Sequence, residues 1–196
     1  MAGSRTSPGR PVATSHSEIE HVAFRLFAEH GFDGTTLDAI AGAVGVGRRT
    51  LFRYYDSKND IPWGEFAASL DAFRGILASM PTDISLSEAV HRGVLAFNDF
   101  DAETTSMHRQ RMRLILTTPA LQAHSVHQYT AWRQVIADFV ASRLGVAADS
   151  LAPRVAGHTS LALAISAYEQ WLADDDAELL PLIDQAMGAL RDYLVD

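Results

Sequence analysis

Residues 45–55 read GVGRRTLFRYY, with three arginines and three aromatic rings in eleven positions and no acid among them. A guanidinium fork matches phosphate oxygens and the O6/N7 edge of guanine, and it does so by two parallel hydrogen bonds. A chain folding only for stability would rarely gather Arg48, Arg49 and Arg53 beside so many rings. These residue types suit the surface of a nucleic acid. Arg48 and Arg49 suit bidentate bonds to guanine, and Phe52 suits contact with thymine methyls. Arg53 faces outward with them. Thr50 and the Tyr54 hydroxyl suit phosphate oxygens, as do Thr36 and Lys58, each at the start of a helix. Tyr55 is expected in the core. The opposing reading is a solvated helical face with no partner.

Such a surface needs elements that hold it. Leu37, Ile40, Ala41 and Val44 form one apolar face of a helix that Thr35 or Thr36 caps. Gly45-Val46-Gly47 is a tight turn, and a short helix from about Arg48 to Tyr54 follows. Leu51 points back at Ile40 and Ala41, and Val46 plugs the angle between the helices. This is a helix-turn-helix pattern, whose second helix fits a major groove. Before it, Ser17 caps a helix carrying Ile19, Val22, Ala23, Leu26 and Phe27, which ends at His30-Gly31.

The rest of the chain also reads as helix. One runs from about Asp60 to Ser79 with Pro62 in its first turn, and one from Ser85 or Ser87 to about Phe100. Others span Thr104 to Thr117, Pro119 to Leu144, Leu151 to Ala173 and Glu178 to Val195. No stretch alternates with period two, so no sheet is expected and the fold class is all-α. Residues 1–15, rich in Gly, Ser, Pro and Arg, read as a flexible tail or as a basic arm through Arg5 and Arg10. The expected division is a tail at 1–15, a helix-turn-helix domain at 16–60 and a helical body at 61–196.

Net charge is −8 over 196 residues, yet residues 1–60 hold seven Lys/Arg against seven Asp/Glu. The acidic excess therefore lies in the body, and a local basic face remains compatible with DNA. There is no cysteine, which excludes disulfides and thiolate metal sites. No apolar run spans a bilayer and no signal-peptide core is visible, so a cytoplasmic protein without a membrane partner is expected. No P-loop, dinucleotide fingerprint, HExxH or nucleophile–base motif appears, so neither an enzyme nor a cofactor is expected.

FAEHGFDGTTLDAIAGAVGVGRRTLFRYYDSKNDI resembles the DNA-binding domain of TetR-family transcriptional regulators. The resemblance rests on Phe27-Ala28-Glu29-His30-Gly31-Phe32, Thr35-Thr36, Ile40-Ala41 and Thr50-Leu51-Phe52-x-Tyr54-Tyr55-x-x-Lys58. It implies a homodimer with a three-helix DNA-binding head on a palindromic operator. It also implies a helical body that binds a small-molecule effector and releases the DNA, the usual arrangement of a repressor. NDIPWGEF, RMRLILTTPALQAHS and AWRQVIADFVASRLG are similar to a TetR subgroup found beside mycofactocin biosynthesis genes in actinobacteria.

On that architecture an effector pocket falls among the body helices. Met107, Met112 and Leu116 come from one, His127 and Trp132 from the next, and Tyr168 and Trp171 from a third, with Trp63 and Phe66 near the floor. Methionine and aromatics suit a deformable pocket and equally suit plain core. Arg109, Arg111 and Arg113 do not share one helical face. Arg109 and Arg113 are candidates for an anionic group such as a CoA phosphate, the alternative being solvated or salt-bridged arginines. His124 and His127 have metal-compatible spacing but no visible third ligand, so no metal is expected. The small residues Ala156, Gly157, Ser160, Ala162, Ala164 and Ala167 and the leucine stripe Leu179 to Leu194 suit both the protomer's core and a four-helix dimer contact. Two alternatives stand beside the ligand-responsive regulator: a DNA-binding dimer without an effector, and a helical enzyme.

Overall fold

A computed structural model describes residues 14–195, so Arg5, Arg10 and most of the expected tail lie outside it. Among the described residues there is no strand, and the fold is all-α. Two compact units meet in the chain between Gly64 and Glu65, rather than between 60 and 61.

The N-terminal unit begins with α1, His16–Gly34. Its cap is Ser15, not Ser17: the Ser15 hydroxyl accepts from the Glu18 amide. Thr14 is buried, although it falls in the stretch expected to be tail. Regular helix stops at Gly31, whose φ of 73° is open to glycine at little cost. The carbonyls freed by this break are taken up by Thr35, whose buried hydroxyl lies 2.9 Å from the Gly31 oxygen and 3.1 Å from that of Leu26. Helix α2, Leu37–Val44, is capped by Thr36. Helix α3, Arg48–Leu51, is shorter than expected, and residues 52–54 continue as turn. Ile19, Ala23, Phe27, Ile40, Ala41 and Leu51 form the core.

The expected helix from Asp60 to Ser79 is two elements. Residues Lys58–Trp63 form a 3-10 turn that holds Pro62, and Gly64, at φ 52° and ψ −136°, breaks the chain before α4, Phe66–Ala78. A proline lacks the amide an α-helix interior needs. Trp63 therefore belongs to the N-terminal unit and Phe66 to the C-terminal one.

The C-terminal unit comprises α4, then α5 (Leu86–Phe97), α6 (Ala102–Thr117), α7 (Pro119–Leu144), α8 (Leu151–Ala173) and α9 (Leu179–Val195). Ser85 caps α5 and Asp101 caps α6, each accepting the amide three residues on. Phe73 of α4 packs 5.4 Å from the Trp132 ring of α7 and 4.6 Å from Phe97 of α5. Helices α7 and α8 approach closely because Gly157 has no side chain: a Cβ there would stand 2.7 Å from the Arg133 carbonyl oxygen. Gly157, Ser160, Ala164 and Ala167 are all buried and serve this protomer's own interior, whereas Ala156 is half-buried and Ala162 is exposed.

Candidate nucleic-acid interface

The turn between α2 and α3 is closed by backbone geometry. Gly45 ends α2 in the left-handed conformation, φ 79°, and the Val46 amide donates back to the Ala41 carbonyl at 3.0 Å. This is the Schellman closure, in which glycine avoids the Cβ penalty. Gly47 then starts α3, its carbonyl accepting from the Thr50 and Leu51 amides. Leu51 is 1% exposed and anchors α3. With Leu51 inward, Arg48, Arg49, Phe52 and Arg53 are exposed, Phe52 at 41%. Thr50 is half-buried and Thr36 is exposed at the start of α2. Arg48 pairs with Asp38 at 3.0 Å and lies 5.5 Å from the Phe52 ring centroid.

Two residues expected at phosphates are engaged inside the head. The Tyr54 hydroxyl donates to the Thr14 carbonyl at 2.7 Å, and the His16 ring meets Tyr54 edge-on at 4.9 Å. Lys58 donates to the Phe32 and Thr35 carbonyls at 2.6 and 2.8 Å, with its ammonium 4.3 Å from the Phe32 ring centroid. Lys58 thereby holds the loop after α1. Its charge is set against the carbonyl ends at the C-terminus of α1. Tyr55 is buried, and its hydroxyl donates to Glu20 at 2.9 Å.

In the C-terminal unit the arginines expected to meet an anionic ligand are tied to the protein. Arg109 donates to the carbonyls of Trp171, Asp174 and Asp175 and to the Asp175 carboxylate, while its guanidinium lies 4.6 Å from the Trp171 ring centroid. It satisfies the C-terminal end of α8 and the loop after it. Arg113 is exposed and reaches the same Asp175 at 3.2 Å. His127 is exposed and points away from the interior. Met112, Trp132, Tyr168 and Trp171 are buried, and Met107 and Leu116 are half-buried.

Tyr168 belongs to a buried polar chain that sequence reading missed. Its hydroxyl donates to Asn98 Oδ1, and Asn98 Nδ2 donates to the Val94 carbonyl at 2.7 Å. The single phenolic proton is then committed. His108 Nε2, 2.7 Å from the Tyr168 oxygen, must therefore be the donor. That fixes the tautomer with Nδ1 as acceptor. Burial, with a smaller contribution from the Arg111 charge, drives the His108 pKa down to about 3, so the ring is neutral. Burial also raises the Tyr168 pKa well above the usual phenol value. The available signal was spacing: His108, Met112 and Ile115 lie on one helical face, and the latter two are buried.

Comparison with known proteins decides the family. Residues 19–61 match the model of bacterial regulatory proteins of the tetR family, and residues 84–195 match that of the MftR C-terminal domain. A protein of Mycobacterium tuberculosis assigned as the mycofactocin biosynthesis transcriptional regulator MftR is 47% identical over 95% of this chain and 92% of its own. The chain belongs to the TetR family. It is a transcriptional regulator, and its body is of the MftR type. The HTH-type transcriptional regulator TcmR of Streptomyces glaucescens is 28% identical over 94% of this chain and 86% of its own. Among solved TetR-like folds, the fatty acid degradation regulator FadR of Bacillus halodurans superposes with a TM-score of 0.66 at 16% identity, covering 90% of this chain and 97% of that one. FadR of Thermus thermophilus, solved with lauroyl-CoA, gives 0.57 at 21% identity, covering 90% and 93%.

Within this TetR-family chain the exposed part of the expected DNA set is Thr36, Arg48, Arg49, Phe52 and Arg53. Tyr54 and Lys58 sit behind that surface as supports. In the body, Arg109 and Arg113 secure the α8–α9 loop, and the His108–Tyr168–Asn98 chain is a polar feature of the interior. No described helix is long and apolar enough to cross a membrane.

Proposed function

We propose that this chain is a cytoplasmic repressor that binds a palindromic operator as a homodimer and leaves it when a small molecule enters the body. The observation that carries the DNA-binding half is the exposed face of Arg48, Arg49, Phe52 and Arg53 on α3 and the turn that continues it. The N-terminal residues of α3 enter the major groove, Arg48 and Arg49 read guanines, and Arg53 and Thr36 meet phosphates. The two-fold axis of the dimer relates two half-sites. Helices α8 and α9 supply the dimer contact; Leu151 and Val155, 78% and 52% exposed on α8, support that choice.

The effector is an apolar molecule with a polar end, of the acyl-CoA class. The lauroyl-CoA bound by the fold-related Thermus FadR supports the class. The acyl portion lies against Met107, Met112 and Leu116, and the polar portion reaches the His108–Tyr168 chain. Arg109 and Arg113 have no part in this, since both hold the α8–α9 loop. A second reading, a DNA-binding dimer with no effector, draws support from the close stacking of Trp132 on Phe73.

The experiment is fluorescence anisotropy with DNA from the promoter region of the chain's own gene, with and without acyl-CoAs of graded length. Specific binding relieved by one chain length is the expected result. Specific binding that no acyl-CoA alters removes the acyl-CoA class, and loss of specificity against random DNA removes the operator reading.

A further inference from the structure

The contact between Asp38 and Arg48 bears on how the head reads sequence, and its significance rests on the base-reading role proposed for Arg48. Arg48 opens α3 and Asp38 sits in the first turn of α2, so the glycine turn folds them together across ten positions. Arg48 Nη1 donates to Asp38 Oδ2 at 3.0 Å, and both side chains are well exposed. The Phe52 ring centroid lies 5.5 Å from the same guanidinium.

An exposed arginine samples many rotamers, and fixing it costs conformational entropy on binding. Two restraints narrow that choice before DNA arrives. A guanidinium has five N–H donors, and a carboxylate on one Nη leaves others for a bidentate bond to a base. The charge of Asp38 argues in the same direction. A carboxylate beside a surface that meets phosphates weakens binding to every DNA sequence. Asp38 also interacts favourably with the N-terminal end of α2, but that interaction needs no pairing with Arg48 and has no bearing on selectivity.

We infer that Asp38 is a positioning residue for sequence readout: with Phe52 behind it, Asp38 aims Arg48 at one base pair of each half-site. It raises selectivity at that pair and lowers affinity for DNA in general.

The test uses the full chain and an operator carrying every single base-pair substitution in one half-site. Arg48→Ala identifies the pair that Arg48 reads, where discrimination is expected to fall roughly five- to hundredfold. Asp38→Asn is expected to lose about two- to fivefold of discrimination at that same pair, the span of an exposed ion pair. Affinity for random DNA is expected to hold or rise, and the double variant to lose no more than Arg48→Ala alone. Unchanged discrimination in Asp38→Asn overturns the inference while leaving the reading of Arg48 in place. Uniform weakening at all positions with a lowered Tm overturns it too, because Asp38 then serves only α2. If Arg48→Ala maps to no base pair, the reading of Arg48 fails first and the inference with it.

Discussion

The guanidinium of Arg109 on α6 lies 4.6 Å from the ring centroid of Trp171 on α8, while its fork binds the backbone carbonyls at the end of that helix. The side chain is only 18% exposed. Arg109→Ala removes the charged donor from those carbonyls and is expected to cost about 2–3 kcal/mol in urea denaturation. Arg109→Lys recovers little, because an ammonium lacks the planar fork. Arg113→Ala, which removes an exposed partner of an exposed Asp175, is expected to stay within about 0.5 kcal/mol. Equal effects at the two positions would contradict the distinction between them.

His108 makes the body sensitive to acid. Its pKa falls from 6.5 to about 3 on folding, so between those values the unfolded chain binds a proton that the native one refuses. Its contribution to stability is complete above about pH 6.5 and is lost as pH falls toward 3. The slope contributed is at most about 1.4 kcal/mol per pH unit. His108→Gln keeps a donor for Tyr168 but does not titrate. Denaturation midpoints at pH 4.5 and 7 should therefore lie closer together in that variant than in the parent.

Gly157 sets the approach of α7 and α8. An alanine there would place its Cβ against a backbone oxygen, which cannot rotate away. Gly157→Ala is expected to cost about 1–3 kcal/mol and to lower Tm. An unchanged Tm would mean that the helices separate without penalty.

Lys58 holds the loop after α1 through two carbonyls. Lys58→Met keeps the stem over Phe32 and removes the donors. A loss of about 1–3 kcal/mol in head stability is expected. With DNA binding measured well below Tm, the salt dependence should change less in this variant than in Arg53→Ala. The reverse order would return Lys58 to the phosphates.

Arg49 is the second proposed base reader. Arg49→Ala is expected to cost about 1–3 kcal/mol on the operator and to relax preference at one base pair per half-site. An equal loss on random DNA would assign Arg49 to the backbone instead.

The head was largely legible because its signals are local. The glycine turn, the inward set Ile40, Ala41 and Leu51, and the outward arginines follow from helical period and from the conformations that glycine permits. The broken helix at 58–66 was less legible. Pro62 is allowed in a first turn, and only the backbone at Gly64 shows that a second element starts beyond it. The arginines of α6 were ambiguous for another reason. Helical spacing says that Arg109 and Arg113 share a side but not what lies opposite them, and the partner is a loop about sixty residues away.

The sequence by itself determined that this chain is all-helical, that its N-terminal part turns two helices around Gly45, and that arginines face outward there. These are properties of neighbouring residues, fixed by side-chain period and backbone strain. Tertiary structure alone decided which polar groups are already in use. Lys58 and Tyr54 are turned into the head, Arg109 is locked on α8, and His108 is a neutral donor to Tyr168. Each of those outcomes depends on a partner distant in sequence and on desolvation, which exists only once the helices have packed.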